Sequence, residues 1–371
     1  MDGGQAATRC GSPDVLKRAF IALVGMVASP AMAQTTDYDA FGAYLEEFRQ
    51  DTRTPALSAV IVRDGRIAWE AHLGWSDDEG EEETSAETSF WIASVTKPIA
   101  ATAIIAESLA GDLDLQTPMA ADPKWTDVCD WLSNSGILFG SGGTEPDGTV
   151  VAKMDCDRAP RIADMLDMRV NTESFTYNPI AYARLDRVIS GAGGRPLREI
   201  VRDRVIEPAG MQDVALGWRD PEAGDALRML ARPWKVVDGK RIEQPLPGDD
   251  FRAAAGIWTS ARQIARFDIA YDAGALIPTS FRDRLVDRVD LGPDGDYRMG
   301  WFLEDWRGHR LMWHSGWEEG KYSALYLKVP DRNLTLVVLA NTEAVWWDNS
   351  LVRAEIATSP IASRFLEEFV Q

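Results

Sequence analysis

The feature that most constrains this chain is where its strand-like runs fall. Near the front, "LSAVIVRDGRIAWEAHLGW" holds two β-rich runs that meet at Asp64-Gly65, the strongest short signal for a tight hairpin turn. Near the end, "YRMGWFLED", "HRLMWHS", "KYSALYLKV" and "NLTLVVLAN" are short β-rich runs with turns such as "VPDRN" between them. From about Gly111 to Asp250 the pattern is helical and loop-rich, and the stretch "GSGGTEPDG" (Gly140 to Gly148) reads as an exposed loop. Strands confined to the two chain ends predict one antiparallel sheet formed from both ends and flanked by helices, an α+β fold with an inserted, mainly helical domain. On that division residues 34–111 and 251–371 form the α/β domain and residues 112–250 the insert. "TTDYDAFGAYLEEFRQD" has the polar start and spaced apolar residues of an amphipathic helix, and the segment from about Ser350 to Val370 also reads as helical.

Residues 1–33 read as an export signal. Lys17 and Arg18 precede the apolar run Ala19 to Ala33, and Ala31-Met32-Ala33 supplies small residues for cleavage after Ala33. That run is shorter than the roughly 18 to 20 residues that span a bilayer, and no other segment is apolar for long enough to do so. The expected location is therefore the periplasm or the medium, with no integral membrane segment once the signal is removed. In that oxidising setting Cys129 and Cys156 read as a disulfide, with two free thiols as the alternative. Closing such a loop stabilises a fold by roughly 3 kcal/mol.

Charge and motifs exclude several functions. With 39 basic and 58 acidic residues the net charge is −19, which repels phosphate backbones and argues against a nucleic-acid partner. Three scattered histidines, His72, His309 and His314, with no HExxH, do not make a zinc site. No GxSxG elbow, P-loop or dinucleotide fingerprint occurs, so neither an α/β-hydrolase nor a bound cofactor is expected.

Ser94-Val95-Thr96-Lys97 remains, inside "FWIASVTKPIAATAIIAESLAGDLDL". Residues three apart face the same way on a helix, so hydroxyl and amine can hydrogen-bond. A lysine near the positive end of a helix, desolvated by Phe90, Trp91, Ile92 and Ile99, has its charged form disfavoured and can act as a base on the serine. From these four residues alone, a helix-capping serine followed by a solvated lysine is an equal reading.

Five blocks in order carry a wider resemblance. "PALSAVIVRDGRIAWEAHLGW", "FWIASVTKPIAA", "FTYNPIAYARLDRVISGAGGRPLREIVRDRVIEPAGM", "AAAGIWTSARQIARF" and "HSGWEEGKYSALY" resemble the serine β-lactamase-like family, the group of class C β-lactamases, D-alanyl-D-alanine carboxypeptidases and related esterases. The resemblance implies that Ser94 is the nucleophile, Lys97 its proton acceptor and Tyr177 the hydroxyl that shuttles the proton; a tyrosine near a lysine ionises more easily. It implies that His314 hydrogen-bonds the substrate or the tyrosine, that Ser315 belongs to the same substrate-binding strand, and that Gly316 lets substrate lie against the strand edge. Backbone N–H groups of Ser94 and Trp317 would form the oxyanion hole. Taken alone, Tyr177 reads equally as a core aromatic and His314 as a structural histidine.

The chain departs from the family pattern in three places. Pro179 stands where the tyrosine motif usually has an asparagine that holds a substrate amide. The connection "ADMLDMRVNTESF" before Tyr177 is short, and residues 122 to 158 look like an insert near the site mouth. Of the 14 tryptophans, Trp91, Trp258, Trp313 and Trp317 flank the motifs; most read as core, and any that face the cleft would make the pocket aromatic. The reading is an exported serine hydrolase acting through an acyl-enzyme on an ester or amide, leaning to esters because of Pro179, with a small-molecule or short-peptide substrate and no metal or cofactor. The alternatives are a β-lactamase or D-amino-acid peptidase, and, from another class, a non-catalytic ligand-binding protein that kept the fold.

Overall fold

Asp64 and Gly65 both take left-handed backbone, φ 51° and 72°, as a two-residue type I′ turn demands. They join β1 (Ala56–Arg63) to β2 (Arg66–Gly74). The second group of strands is β3 (Asp296–Arg298), β4 (Trp301–Trp306), β5 (His309–Glu318), β6 (Tyr322–Val329) and β7 (Leu334–Ala340). Together they form one antiparallel sheet of seven strands, ordered β3-β4-β5-β6-β7-β1-β2. The two chain ends meet where β7 pairs with β1, from Leu57 opposite Ala340 to Arg63 opposite Leu334. This computed structural model describes Met1 and residues 38–77, 80–248, 250–287 and 291–370; apart from Met1, the expected export signal lies outside them.

The central strands β6 and β7 are buried along their whole length, so both faces of the sheet are covered. Helices α1 (Tyr38–Asp51), α2 (Thr96–Leu109), α3 (Trp125–Asn134), α4 (Ala261–Asp272) and α5 (Pro360–Phe369) supply the longest helical cover. Phe41 of α1 meets Phe369 of α5 at 5.4 Å and Trp69 of β2 at 5.9 Å between ring centres. Register then separates the faces. Tyr326 lies opposite Val337, Val337 opposite Val60 and Val60 opposite Glu70, so these four share the face away from Trp69. α4 covers that second face, where Arg262 pairs with Glu70 at 2.6 Å. His314, opposite Tyr326, points to the same side.

α4 is also tied down by a buried ionic cluster. Lys328 of β6 is 2% exposed and Asp268 of α4 not at all, and the two are paired; Asp272 lies 3.0 Å from the Lys328 amine. Tyr326 and Thr335 donate to the same Asp268 oxygen at 2.7 and 3.1 Å. Burial opposes the Lys328 charge, yet the two carboxylates hold its pKa above the usual lysine range.

Between residues 112 and 250 the chain forms short helices, such as Leu185–Gly191 and Leu197–Val201, together with a hairpin of Trp234–Val237 and Lys240–Glu243. One continuous buried cluster runs through this segment, the sheet and its helices. Cys129 of α3 is bonded to Cys156, with 5.8 Å between Cα atoms. Among the described residues no helix is long and apolar enough to cross a membrane.

Two expectations are corrected. The Gly140–Gly148 stretch is exposed at its tip but is no free loop: Gly143–Thr144 pairs with Val150–Val151. Glu145 accepts from the Ser350 hydroxyl and the Leu351 N–H at 2.7 and 2.8 Å, and Asp147 pairs with Arg353. The final helix starts only at Pro360, because Ser359 caps it and Pro360 occupies its first turn, while residues 350–353 are held by the hairpin.

Asp268→Ala leaves the Lys328 ammonium buried without its nearest carboxylate. The expected loss is about 3–5 kcal/mol in urea unfolding, with Lys328→Met recovering part of it in the double variant.

Candidate active site

"FWIASVTK" folds as a strand, a turn and a helix start. Phe90–Trp91 pairs with the short strand Ile257–Thr259, Ala93–Val95 forms a 3-10 turn, and α2 follows. Ala93 has φ 46°, a left-handed conformation costly for a residue with a Cβ, so this turn is sharp and stores strain beside Ser94. Ser94 sits half-buried on the wall of a cavity of about 540 Å³.

Lys97 is fully buried in the first turn of α2. Its amine donates to Ser94 Oγ at 2.8 Å and to the Ala254 carbonyl at 3.0 Å. No carboxylate pairs with it among the described residues, and burial holds its pKa well below the usual lysine range. A carbonyl can only accept, so the Ala254 bond orients one amine hydrogen. The lone pair of the uncharged amine is then available to the Ser94 proton across the same 2.8 Å contact.

Tyr177 lines the same cavity as Ser94. The Lys97 amine lies 4.9 Å from the centre of the Tyr177 ring. Backbone bonds from Thr176 N to Met168 O (2.9 Å) and from Tyr177 N to Leu351 O (2.7 Å) set its position. Asn178 caps the short helix Pro179–Tyr182, accepting from Ala181 N at 3.0 Å and donating to Asn171 Oδ1 at 3.2 Å. Pro179 fills the first helical position, where a missing N–H costs nothing. The expected ease of Tyr177 ionisation is reversed: burial pushes its pKa up, and the neighbouring Ser94 offsets this only in part.

β5 forms the facing wall. Its pairing with β4 ends at Trp313, so His314–Glu318 runs on beyond that pairing. Ser315 and Trp317 line the cavity with Ser94 and Tyr177. His314 does not, because strand alternation turns it into the interior. It is fully buried, its Nδ1–H donates to the Ser315 carbonyl at 2.6 Å, and Nε2 therefore accepts from the Tyr297 hydroxyl at 3.1 Å. Its ring lies 5.7 Å from that of Tyr177, and its hydrogen bond goes to Tyr297 instead. Burial and the nearby Lys97 hold the imidazole well below the usual histidine range. Gly316 also differs from expectation. A Cβ there would lie 2.4 Å from the Ile92 carbonyl, so glycine is needed for the nucleophile turn to approach β5.

Residues without a motif complete the wall: Phe139 from the 122–158 segment, Ile180, Arg252, Trp346 and Asn349. Asn349 Oδ1 accepts from the Ser315 hydroxyl at 2.8 Å and from the Trp346 indole at 3.1 Å. The only sequence signal for them was the paired tryptophans in "AVWWDN" after the last strand. Trp91, Trp258 and Trp313 are core, whereas Trp317 faces the cavity.

A family model described as beta-lactamase matches residues 41–351. The chain belongs to the beta-lactamase family. Esterase EstB of Burkholderia gladioli is 26% identical over 227 residues, 55% of this chain and 58% of that protein. The chain thus spans only about three fifths of the length of the curated relatives it first matches, 58% and 61%. A class C beta lactamase from Rhodobacter sphaeroides has a TM-score of 0.63 at 15% identity, covering 90% of this chain and 98% of the other. A D-amino acid amidase from Ochrobactrum anthropi SV3 has a TM-score of 0.61 at 16% identity, covering 89% and 98%. At such identities the likeness establishes the fold, that of beta-lactamases and penicillin-binding proteins.

Gly316→Ala is expected to cost about 1–3 kcal/mol in chemical denaturation and to push the Ser94 turn away from β5. Stability equal to the parent's contradicts the close-approach account.

Proposed function

We propose that this protein is an exported serine hydrolase that acts through an acyl-enzyme, with esters as its preferred substrates. One observation carries the reading: a fully buried amine bonds the Ser94 oxygen at 2.8 Å, on the wall of a cavity that Tyr177 also lines. In this mechanism Ser94 Oγ attacks the substrate carbonyl carbon as its proton passes to Lys97. The backbone N–H groups of Ser94 and Trp317 receive the oxyanion. The proton then reaches the leaving alcohol through the Tyr177 hydroxyl, which its raised pKa keeps protonated between transfers. Water attacks the acyl-enzyme in the second half, delivering a proton to the same pair as Ser94 departs. No step draws on a metal or cofactor.

Two contacts favour an ester over an amide or β-lactam. The Asn178 side chain is spent on a helix cap, and the Ser315 proton is given to Asn349, so neither donates to a substrate amide. The esterase named among the relatives fits this preference, while the amidase and beta-lactamase neighbours keep amide substrates as the second reading. The Cys129–Cys156 disulfide supports an oxidising compartment and hence export.

A fluorophosphonate probe followed by intact mass measurement should add one label to the parent and none to Ser94→Ala; no adduct on the parent would favour a non-catalytic binding protein. Turnover of p-nitrophenyl esters is expected to exceed that of nitrocefin and D-alanyl peptides, and the opposite order would put the amide reading first. Lys97→Arg, which cannot lose its proton, should lower kcat by about 10²–10⁴-fold on any substrate turned over. Because only the uncharged amine accepts a proton, kcat/KM should rise with pH as Lys97 deprotonates. The plateau should begin well below the ordinary lysine pKa of about 10.4.

A further inference from the structure

The cavity holds an aromatic surface that the acyl-enzyme mechanism leaves unused. Trp317 and Trp346 stack with ring centres 4.4 Å apart and planes 21° apart, and both line the cavity that holds Ser94. Trp317 is 38% exposed, a large apolar surface left open to an incoming group. Each indole is pinned by its N–H, Trp317 to Glu343 at 3.3 Å and Trp346 to Asn349 at 3.1 Å. Asn349 also takes the Ser315 proton, so the stack is bonded to the strand beside the nucleophile. A flat surface held in place in this way loses little freedom on binding and offers offset stacking to another ring.

The charges around it are already partnered. Arg252 bonds the Phe251 carbonyl at 3.0 Å and lies 3.7 Å from Asp186, Asp250 pairs with Arg198 at 2.8 Å, and Glu318 pairs with Lys321 at 3.6 Å. His314, which the family resemblance placed against substrate or Tyr177, is fully buried and bonds Tyr297 instead. The cavity therefore presents apolar and aromatic surface, including Phe139, Ile180 and Leu351, without an unpaired charge to hold a carboxylate.

We propose that the Trp317–Trp346 stack is the platform for the aryl group of an uncharged ester, with Trp346 a specificity-determining residue. The inference rests on the acyl-enzyme reading of the same cavity.

The test compares 1-naphthyl acetate with ethyl acetate, and with a ring-carboxylated naphthyl acetate. In Trp346→Leu, which keeps apolar bulk without a ring, the ratio of kcat/KM for 1-naphthyl to ethyl acetate should fall about tenfold, and Trp346→Phe should restore most of it. The parent should prefer the neutral naphthyl ester to the carboxylated one. An unchanged ratio in Trp346→Leu, no rescue by Phe, or preference for the carboxylated ester overturns the proposal. A binding measurement separates it from the catalytic reading. Ser94→Ala should bind 1-naphthyl acetate with quenching of tryptophan fluorescence, and adding Trp346→Leu should weaken that binding about tenfold. If the parent cleaves none of the esters, the acyl-enzyme reading fails while this binding pair still decides the platform; equal binding by both proteins overturns it.

Discussion

A lysine amine sealed from water and held between a serine hydroxyl and a backbone carbonyl is the constraint on which the site depends. Lys97 makes these two bonds and no ion pair among the described residues, so its charge has nothing to offset the loss of solvent. Keeping it there requires a strained turn at Ala93, a glycine at 316 so that β5 can close over that turn, and the rings of Tyr177 and Tyr182 beside the amine. Much of the architecture near the cavity can be read as the means of excluding water from one nitrogen.

Lys328 gives the contrast within the same molecule. It is buried almost as completely, but Asp268 and Asp272 surround it and hold it charged. One lysine joins a helix to the sheet as an ion, and the other lies beside a nucleophile with its charged form disfavoured. Depth is nearly the same in both; the presence or absence of a carboxylate shifts the two pKa values in opposite directions.

The same division separates the legible from the hidden parts of this chain. The hairpin at Asp64-Gly65 and the run of strands near the end carry local signals, turn residues and β-rich alternation, and they fold where those signals lie. Ser94 and Lys97 were legible as a pair because three residues separate them. His314 was misplaced because its partner, Tyr297, lies on another strand, and the withdrawal of its ring follows from the alternation of β5. The cap that Asn178 makes explains why Pro179 can follow it. The 140–148 hairpin was read as a loop because what pins it, Ser350 to Arg353, arrives about 200 residues later in the chain.

By itself the amino-acid order determined the local events: where the chain turns, which ends can form a sheet, and that a hydroxyl and an amine lie on one side of a helix start. Only the tertiary structure decided the chemistry those groups carry. The state of Lys97 depends on the Ala254 carbonyl, 157 positions away, and on the layers that shut out water. The environment of Tyr177 depends likewise on a lysine 80 positions earlier. Solvation and long-range contact set the energy of a charge, and neither is a property of neighbouring residues in the chain.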